Sequence, residues 1–178
     1  MNNFTIVKLL LLGYMGSGKT AVGERLAEVL DIPFYDLDLE IEKGGQKSVP
    51  EIFSEKGEIY FRKREVEVLQ ELLKSDERFV LSLGGGTPCY GNVMQIINKR
   101  AGVTSIFLKA SVETLTHRLF PAKQHRPLIA HLQTEEELND FIRKHLFERN
   151  FYYHQAALTV HADTTVREII SEIVARLF

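Results

Sequence analysis

The strongest constraint on the fold of this chain is the octapeptide GYMGSGKT, residues 13–20. It matches the pattern G-x-x-x-x-G-K-[ST] in full, and it follows the apolar run 6–12, whose length suits a buried strand. The spacing of apolar residues after it predicts a helix from Lys19 to Leu30. A strand, this loop and a helix in that order indicate a nucleotide-binding domain of the P-loop class rather than a glycine-rich turn that matches by chance.

Each residue type in the octapeptide suits phosphate binding. Gly16 and Gly18 can adopt backbone angles that let successive N–H groups converge on one anion. The helix that follows adds its positive N-terminal end. Lys19 can place a cation between the terminal phosphates, and the Thr20 hydroxyl can coordinate magnesium. We therefore expect ATP and Mg²⁺ as cofactors, with ATP contacts from Gly16, Ser17, Gly18, Lys19, Thr20 and Ala21.

Strand and helix signals alternate along the rest of the chain. Further strands are expected at 34–38, 79–83, 104–108 and 158–161. Three capping boxes, at Ser48, Thr134 and Thr165, each have glutamate three residues later and predict helix starts. Other helices are expected at 58–74, 93–99 and 111–119, and a loop at 120–132. The alternation predicts an α/β fold of the P-loop NTPase type, a three-layer sandwich whose five-stranded parallel sheet carries helices on both faces.

Composition narrows the class of protein further. The chain has 178 residues, 44% of them hydrophobic, which fits one globular domain. Its formal net charge of -2 offers no electrostatic case for a nucleic-acid partner. Cys89 is the only cysteine, so a reducing compartment and a structural thiol are favoured over a disulfide or a nucleophile. The first apolar run contains Lys8 and is too short for a membrane span, and nothing resembles a signal peptide, so we expect a cytoplasmic protein without a membrane partner. We also expect a monomer.

Two acidic residues follow the second expected strand. Asp36 and Asp38 are two positions apart, and such residues on a strand face the same way. One carboxylate could hold magnesium through water, while the other accepts a hydrogen bond from a substrate hydroxyl. The alternative is a pair of surface aspartates that start a helix.

Other candidate residues are arginines, glycines and a basic loop. Arg62 and Arg149 suit bidentate capture of a substrate carboxylate, although each taken singly is typical of a solvated surface. The triple glycine at 84–86 allows a ligand to approach the backbone closely, or else forms a tight structural turn. The loop at 120–132 is basic and suits a mobile lid, with an ordinary surface loop as the alternative.

Six segments in this order resemble the shikimate kinase family over nearly the whole chain. They are GYMGSGKT (13–20), FYDLD (34–38), IFSEKGEIYFRKRE (52–65), SLGGG (82–86), RPL (126–128) and ERNFYY (148–153). The resemblance implies ATP- and Mg²⁺-dependent phosphorylation of the 3-hydroxyl of shikimate, giving shikimate 3-phosphate and ADP on the route to chorismate and the aromatic amino acids. Another small-molecule kinase, such as a gluconate kinase, and a nucleotide-binding regulatory module without catalysis remain alternatives.

The resemblance also implies roles for individual positions. Catalytic roles fall to Lys19, Asp38 and Arg126, metal binding to Thr20 and, through water, Asp36, and adenine stacking to Arg118. Substrate contacts are implied for Asp38, Phe53, Phe61, Arg62, Gly84, Gly85, Gly86 and Arg149. The single domain, 1–178, would carry a substrate-binding insertion at about 39–78 and a lid at about 120–132.

Overall fold

Five parallel strands form the centre of the structure, a computed structural model that describes residues 8–178. The strands are β1 (Lys8–Leu12), β2 (Phe34–Asp36), β3 (Phe79–Ser82), β4 (Val103–Lys109) and β5 (Leu158–His161). Their order in the sheet is β2-β3-β1-β4-β5, and each neighbouring pair is parallel. The predicted α/β architecture is therefore confirmed.

Helices surround this sheet. They are α1 (Lys19–Leu30), α2 (Leu37–Gly45), α3 (Val49–Lys74), α4 (Val93–Asn98), α5 (Val112–Leu119), α6 (Glu135–Tyr153) and α7 (Val166–Leu177). Short 3-10 helices lie at Thr87–Cys89 and Phe120–His125. Within the described part of the chain, no helix has both the length and the apolar character that crossing a bilayer requires.

The central strand explains where the core lies. All five residues of β1 are buried, because β3 and β4 flank the strand and helices cover the sheet. Lys8 begins this strand and donates from Nζ to the carbonyls of Leu73, at 3.3 Å, and Ser75, at 2.5 Å. Residues 6 and 7 of the predicted strand lie outside the described part.

The predicted helix starts are confirmed by their capping contacts. Ser48, Thr134 and Thr165 each cap a helix with the glutamate three residues on in a reciprocal capping box. The long helix α3 is interrupted at Gly57, where φ is 78° and ψ is 174°. This interruption divides α3 into a short first part and a long second part, as the sequence predicts.

The second strand is shorter than expected. It ends at Asp36, whose side chain caps α2 by accepting from the backbone N–H groups of Asp38, at 3.0 Å, and Leu39, at 3.4 Å. Asp38 therefore lies in the first helical turn, and the predicted strand face shared by the two aspartates is wrong. The physical reason is that an aspartate side chain satisfies N–H groups at a helix start, which favours the helix over two more strand residues.

The predicted loop at 120–132 contains some regular structure. Its first part is the 3-10 helix Phe120–His125, and turns follow it up to the cap of α6. Ile129 is buried, and Lys123 donates to the carbonyl of Leu132 at 2.6 Å. Proline at position 121 suits a helix start and explains why the regular part begins there.

Candidate active site

The loop between β1 and α1 has the backbone that phosphate binding requires. Gly16 and Gly18 have φ angles of 78° and 93°, in the left-handed region that glycine adopts at little cost. Gly18 precedes the first turn of α1, where no side chain caps the helix. The N–H groups of this turn are thus available to an anion. Ser17 adds a buried hydroxyl that has no hydrogen-bond partner within residues 8–178.

Lys19 lies folded over this loop. Its ammonium group donates to the carbonyl oxygens of Gly13, at 2.8 Å, and Tyr14, at 3.0 Å. The side chain is therefore held at the mouth of the loop by two neutral acceptors. A phosphate oxygen that enters the loop can replace these neutral acceptors with an anionic one.

Charged side chains from several elements of the fold shift the pKa of Lys19. This pKa is lowered to about 8, mainly by burial and in part by the cations of Arg126 and Arg149, while Asp36 and Asp38 act in the opposite direction. These contributions place the lysine within one electrostatic environment with residues from α2, α6 and the 120–132 segment. The structure thus brings together five side chains that the sequence predicts for one site.

Asp38 faces the triple glycine. Its Oδ1 atom lies 3.4 Å from the point that a Cβ atom on Gly84 would occupy. The pKa of this carboxyl is raised to about 6, mainly by burial and in part by the carboxylates of Asp36 and Glu65, against the opposing effect of Lys19. A carboxylate that is partly desolvated and close to other anions is a good acceptor for a hydroxyl proton.

Arg62 is not a solvated surface residue, because its side chain is only 14% exposed. Its guanidinium donates from Nη1 to Glu65 at 2.7 Å, and the other Glu65 oxygen accepts from the Thr87 hydroxyl at 2.6 Å. A Cβ atom on Gly86 would lie 2.8 Å from Nη2 of Arg62. Glycine is therefore required at this position for the guanidinium to approach the turn.

Arg149 approaches the same turn from α6. Its guanidinium carbon lies 5.8 Å from the centre of the Tyr14 ring, and Nη1 lies 3.6 Å from the Cβ position of Gly85. No carboxylate in the described residues lies within ion-pair distance of Arg149. This leaves the guanidinium able to bind an anionic ligand beside the glycines.

Two aromatic side chains line the approach to Arg62. Phe53 and Phe61 lie with ring centres 4.6 Å apart, and Phe61 is buried. The guanidinium carbon of Arg62 lies 5.5 Å from the centre of the Phe61 ring. The break in α3 at Gly57 separates the two aromatic residues along the chain, and the packing of the two helical parts brings them together.

Arg118 joins the phosphate loop to the end of β5. It donates to the carbonyl oxygens of Gly16, at 3.2 Å, and Ala162, at 2.9 Å. The side chain is exposed, so one face of the guanidinium is open to a flat ligand group. Thr20 is also exposed, in the first turn of α1, where its hydroxyl is accessible.

Several side chains of the site were not predicted. Glu65 is 1% exposed and stands three residues after Arg62, a spacing that indicates an ion pair on one helix face. Tyr14, His145 and Tyr153 also contact the site. The spacing of four between His145, Arg149 and Tyr153 is a sequence signal that could have indicated the two residues of α6. Burial raises the pKa of Cys89 to about 11, which favours the structural thiol over a nucleophile.

Comparison with known proteins identifies the family to which the chain belongs. The model of the family described as "Shikimate kinase" matches residues 15–178. A curated shikimate kinase from Flavobacterium johnsoniae is 48% identical over 167 residues, which cover 93% of this chain and 96% of the relative.

Solved structures agree with the sequence relatives. The crystal structure of shikimate kinase from Bacteroides thetaiotaomicron has a TM-score of 0.88 and 36% identity, covering 96% of this chain and 98% of that one. Shikimate kinase from Acinetobacter baumannii in complex with shikimate has a TM-score of 0.84 and 33% identity, covering 97% and 93%. The similarity thus extends over the whole described fold.

Proposed function

Because this chain belongs to the shikimate kinase family and phosphorylates shikimate, we propose that the side chains around Lys19 transfer the γ-phosphoryl group of ATP to the 3-hydroxyl of shikimate. This assignment rests on one observation: cationic and anionic side chains lie beside the same turn, the triple glycine at 84–86. Arg62 and Arg149 supply cations beside Gly86 and Gly85, while Asp38 supplies a carboxylate beside Gly84. A polyhydroxy acid presents the complementary carboxylate and hydroxyl groups.

The cations and the carboxylate have separate tasks in this proposal. Arg62 and Arg149 hold the substrate carboxylate, and Glu65 fixes the orientation of the Arg62 guanidinium. Asp38 accepts the hydrogen bond of the reacting hydroxyl. Lys19 and Arg126 stabilise the charge on the transferring group. A loose transition state needs little help from a strong base, so positioning and electrostatics supply most of the rate enhancement.

The residues at the loop fit ATP and Mg²⁺. The open N–H groups of α1 and the left-handed glycines suit phosphate oxygens, and Arg118 is placed for the adenine side. Thr20 and Asp36 offer the oxygen ligands that Mg²⁺ prefers, and Asp36 uses Oδ1 for the cap of α2, which leaves Oδ2 for a metal-bound water. When bound, the ion would neutralise phosphate charge.

The remaining assignments concern the domain and its surroundings. We propose one kinase domain, with a substrate-binding insertion at about 39–78 and a lid at about 120–132. Phe53, Phe61 and Arg62 come from that insertion, and Arg126 from the lid. We further propose a cytoplasmic monomer that acts on a small molecule and has neither a nucleic-acid nor a membrane partner.

A substrate panel tests the proposed reaction. ADP release from ATP should depend on shikimate and on Mg²⁺, and gluconate should not replace shikimate. The phosphorylated product should carry its phosphate on the 3-hydroxyl, as ³¹P-coupled NMR can establish. Equal turnover with gluconate would assign the chain to the other small-molecule kinase activity, and ATP binding without turnover on either acid would identify a regulatory module.

Removal of either arginine should weaken shikimate binding specifically. Arg62→Ala and Arg149→Ala should each raise the KM for shikimate by about 10- to 100-fold, because a charge-assisted hydrogen bond contributes about 1.5–3 kcal/mol. The KM for ATP should change little. Arg64→Ala and Arg143→Ala serve as controls, since these side chains bind Glu67 and Asn139 instead. An unchanged shikimate KM in both test variants would contradict the carboxylate clamp.

The segment 120–132 should close over the bound ligands. Apart from the buried Ile129, its residues are partly or fully exposed, and it places Arg126 within electrostatic range of Lys19. Amide hydrogen exchange in this segment should slow in the presence of shikimate with a non-hydrolysable ATP analogue, while exchange in α7 stays the same. Equal exchange with and without ligands would show that the segment is not a lid.

A further inference from the structure

Tyr14 makes a contact that phosphate binding by itself does not need. Its side chain projects from the phosphate loop and is 1% exposed, and its hydroxyl lies 2.9 Å from Nδ1 of His145 on α6. The two rings meet edge to face, with centres 5.5 Å apart and planes at 89°. His145 also packs edge to face against Phe141, at 5.3 Å. The contact therefore joins the loop to a well-packed part of α6.

Arg149 lies between two residues of α6 that form hydrogen bonds with other segments of the site. One helical turn before it, His145 contacts the phosphate loop, and one turn after it, Tyr153 donates to the carbonyl of Gly85 at 2.6 Å. The Arg149 guanidinium lies over the ring of Tyr14. The residues at spacings of four thus fasten α6 to the loop and to the glycine turn, with the arginine in the middle.

The loop and the glycine turn are themselves close at this point. The Cβ position of Gly85 lies 3.5 Å from the backbone nitrogen of Met15 and 3.6 Å from Nη1 of Arg149. A small rotation of α6 would therefore move the guanidinium relative to both. At a bidentate site, an error of this kind weakens binding because two hydrogen bonds must form together.

We propose that Tyr14 and His145 are positioning residues that act through Arg149, aligning the cation that binds the substrate carboxylate with the phosphate-binding loop. This inference rests on the proposed role of Arg149 in binding shikimate. It assigns the second residue of the octapeptide to the acid substrate rather than to the nucleotide.

The chemistry of the pair supports a directed hydrogen bond. Burial lowers the pKa of His145, and the cation of Arg149 lowers it further against the weaker opposite effect of Glu148. Burial raises the pKa of the Tyr14 phenol, against the opposing effect of Arg149. In the tautomer that carries its proton on Nε2, the neutral imidazole of His145 accepts at Nδ1 the hydrogen bond that the Tyr14 phenol donates. A neutral imidazole also places no second cation beside the Arg149 guanidinium.

One substitution in either residue removes the hydrogen bond between Tyr14 and His145. Tyr14→Phe keeps the ring under Arg149 and loses the hydroxyl, and His145→Leu loses the acceptor. Each should raise the KM for shikimate by about three- to tenfold, the net value of one hydrogen bond, with kcat and the KM for ATP within about twofold of wild type. His145→Asn should restore the wild-type KM, because its amide oxygen can accept at the position of Nδ1.

A double substitution tests whether the effect passes through Arg149. In an Arg149→Ala background, Tyr14→Phe should cause no further rise in the shikimate KM, because residues that act as one unit are not additive. Tyr152→Phe is the matched control. It lies on the same helix, its hydroxyl makes no hydrogen bond to any residue within 8–178, and its KM should equal that of wild type. Thermal unfolding of every variant shows that each is folded.

The outcomes separate two possible failures. If Arg149→Ala leaves the shikimate KM unchanged, the proposed role of Arg149 in the carboxylate clamp is wrong. If Arg149→Ala raises that KM but Tyr14→Phe and His145→Leu do not, the clamp stands and the positioning role is wrong. Equal rises in the KM for ATP and for shikimate, or an additive effect in the double variant, would also overturn the inference, because they indicate general damage to the loop.

Discussion

Lys19→Met should lower kcat by about 10³- to 10⁵-fold, by comparison with the contribution of an arginine finger to phosphoryl transfer. Lys19 donates to the carbonyls of Gly13 and Tyr14, so the ammonium is already held at the mouth of the phosphate loop. Methionine has a similar length and no charge, and it removes this cation without opening a large cavity. The variant should therefore fold and bind shikimate while losing phosphoryl transfer, as steady-state kinetics and thermal unfolding can measure.

A control separates this effect from a change in overall charge. Lys43→Met removes one cation from an exposed position on α2, where the lysine pairs with Glu40. Its kcat should equal that of wild type. A kcat for Lys19→Met close to wild type would show that the octapeptide does not bind the transferring phosphate.

The variants Asp36→Asn and Asp38→Asn should have different kinetic defects. Asp38→Asn should lower kcat by about 10²- to 10⁴-fold, the usual contribution of a positioned acid–base group, and should raise the KM for shikimate. The reason is that the reacting hydroxyl loses its charged acceptor beside Gly84. The KM for ATP should stay the same, and Asp76→Asn, in an exposed loop, is the matched control.

The same substitution should stabilise the ligand-free protein. The folded-state pKa of Asp38, about 6, lies above the ordinary aspartate value of 3.8, so the fold disfavours the ionised form. The penalty is absent below about pH 4, grows as the pH rises, and is complete above about pH 6. At neutral pH, Asp38→Asn should therefore add about 1–3 kcal/mol to the free energy of unfolding, the lower part of the range reflecting a half-buried, solvated group. Denaturant unfolding at pH 4 and pH 7, without ATP or Mg²⁺, measures the difference.

Asp36→Asn should instead raise the concentration of Mg²⁺ needed for half-maximal rate and leave shikimate binding nearly intact. Asparagine caps a helix about as well as aspartate does, so α2 should still begin at Leu37. Titration of Mg²⁺ at saturating shikimate tests this. The same Mg²⁺ defect in both variants, with normal shikimate binding, would assign both aspartates to the metal and require another residue for the substrate hydroxyl.

Much of the fold could be predicted because its signals are local. The pattern of the octapeptide and the three capping boxes each depend on residues within a few positions of one another. Local sequence patterns of this kind determine the local structure unless tertiary contacts favour a different one. The end of β2 was placed two residues too late because strand and cap signals overlap there, and the cap at Asp36 prevailed.

The candidate site was predictable only in part. The lysine and threonine of the phosphate loop follow from the pattern itself, whereas the arginines could not be distinguished from surface residues without a family resemblance. Arg62 is surrounded by other cations in the sequence, yet its own side chain is the one that packs against Gly86 and Glu65. Helical spacing gives the face on which a residue lies but not what covers that face.

The sequence by itself determined the parallel α/β order of the elements and the phosphate loop, since both arise from short-range periodicity and from glycine and lysine at fixed spacing. Only the tertiary structure decided which charges meet. Tyr14 and His145 are separated by 131 positions, and Glu65 and Thr87 by 22. These pairs form because parallel strands carry their carboxyl ends to one edge of the sheet, where chain segments that are distant in sequence must share one small and partly dehydrated volume.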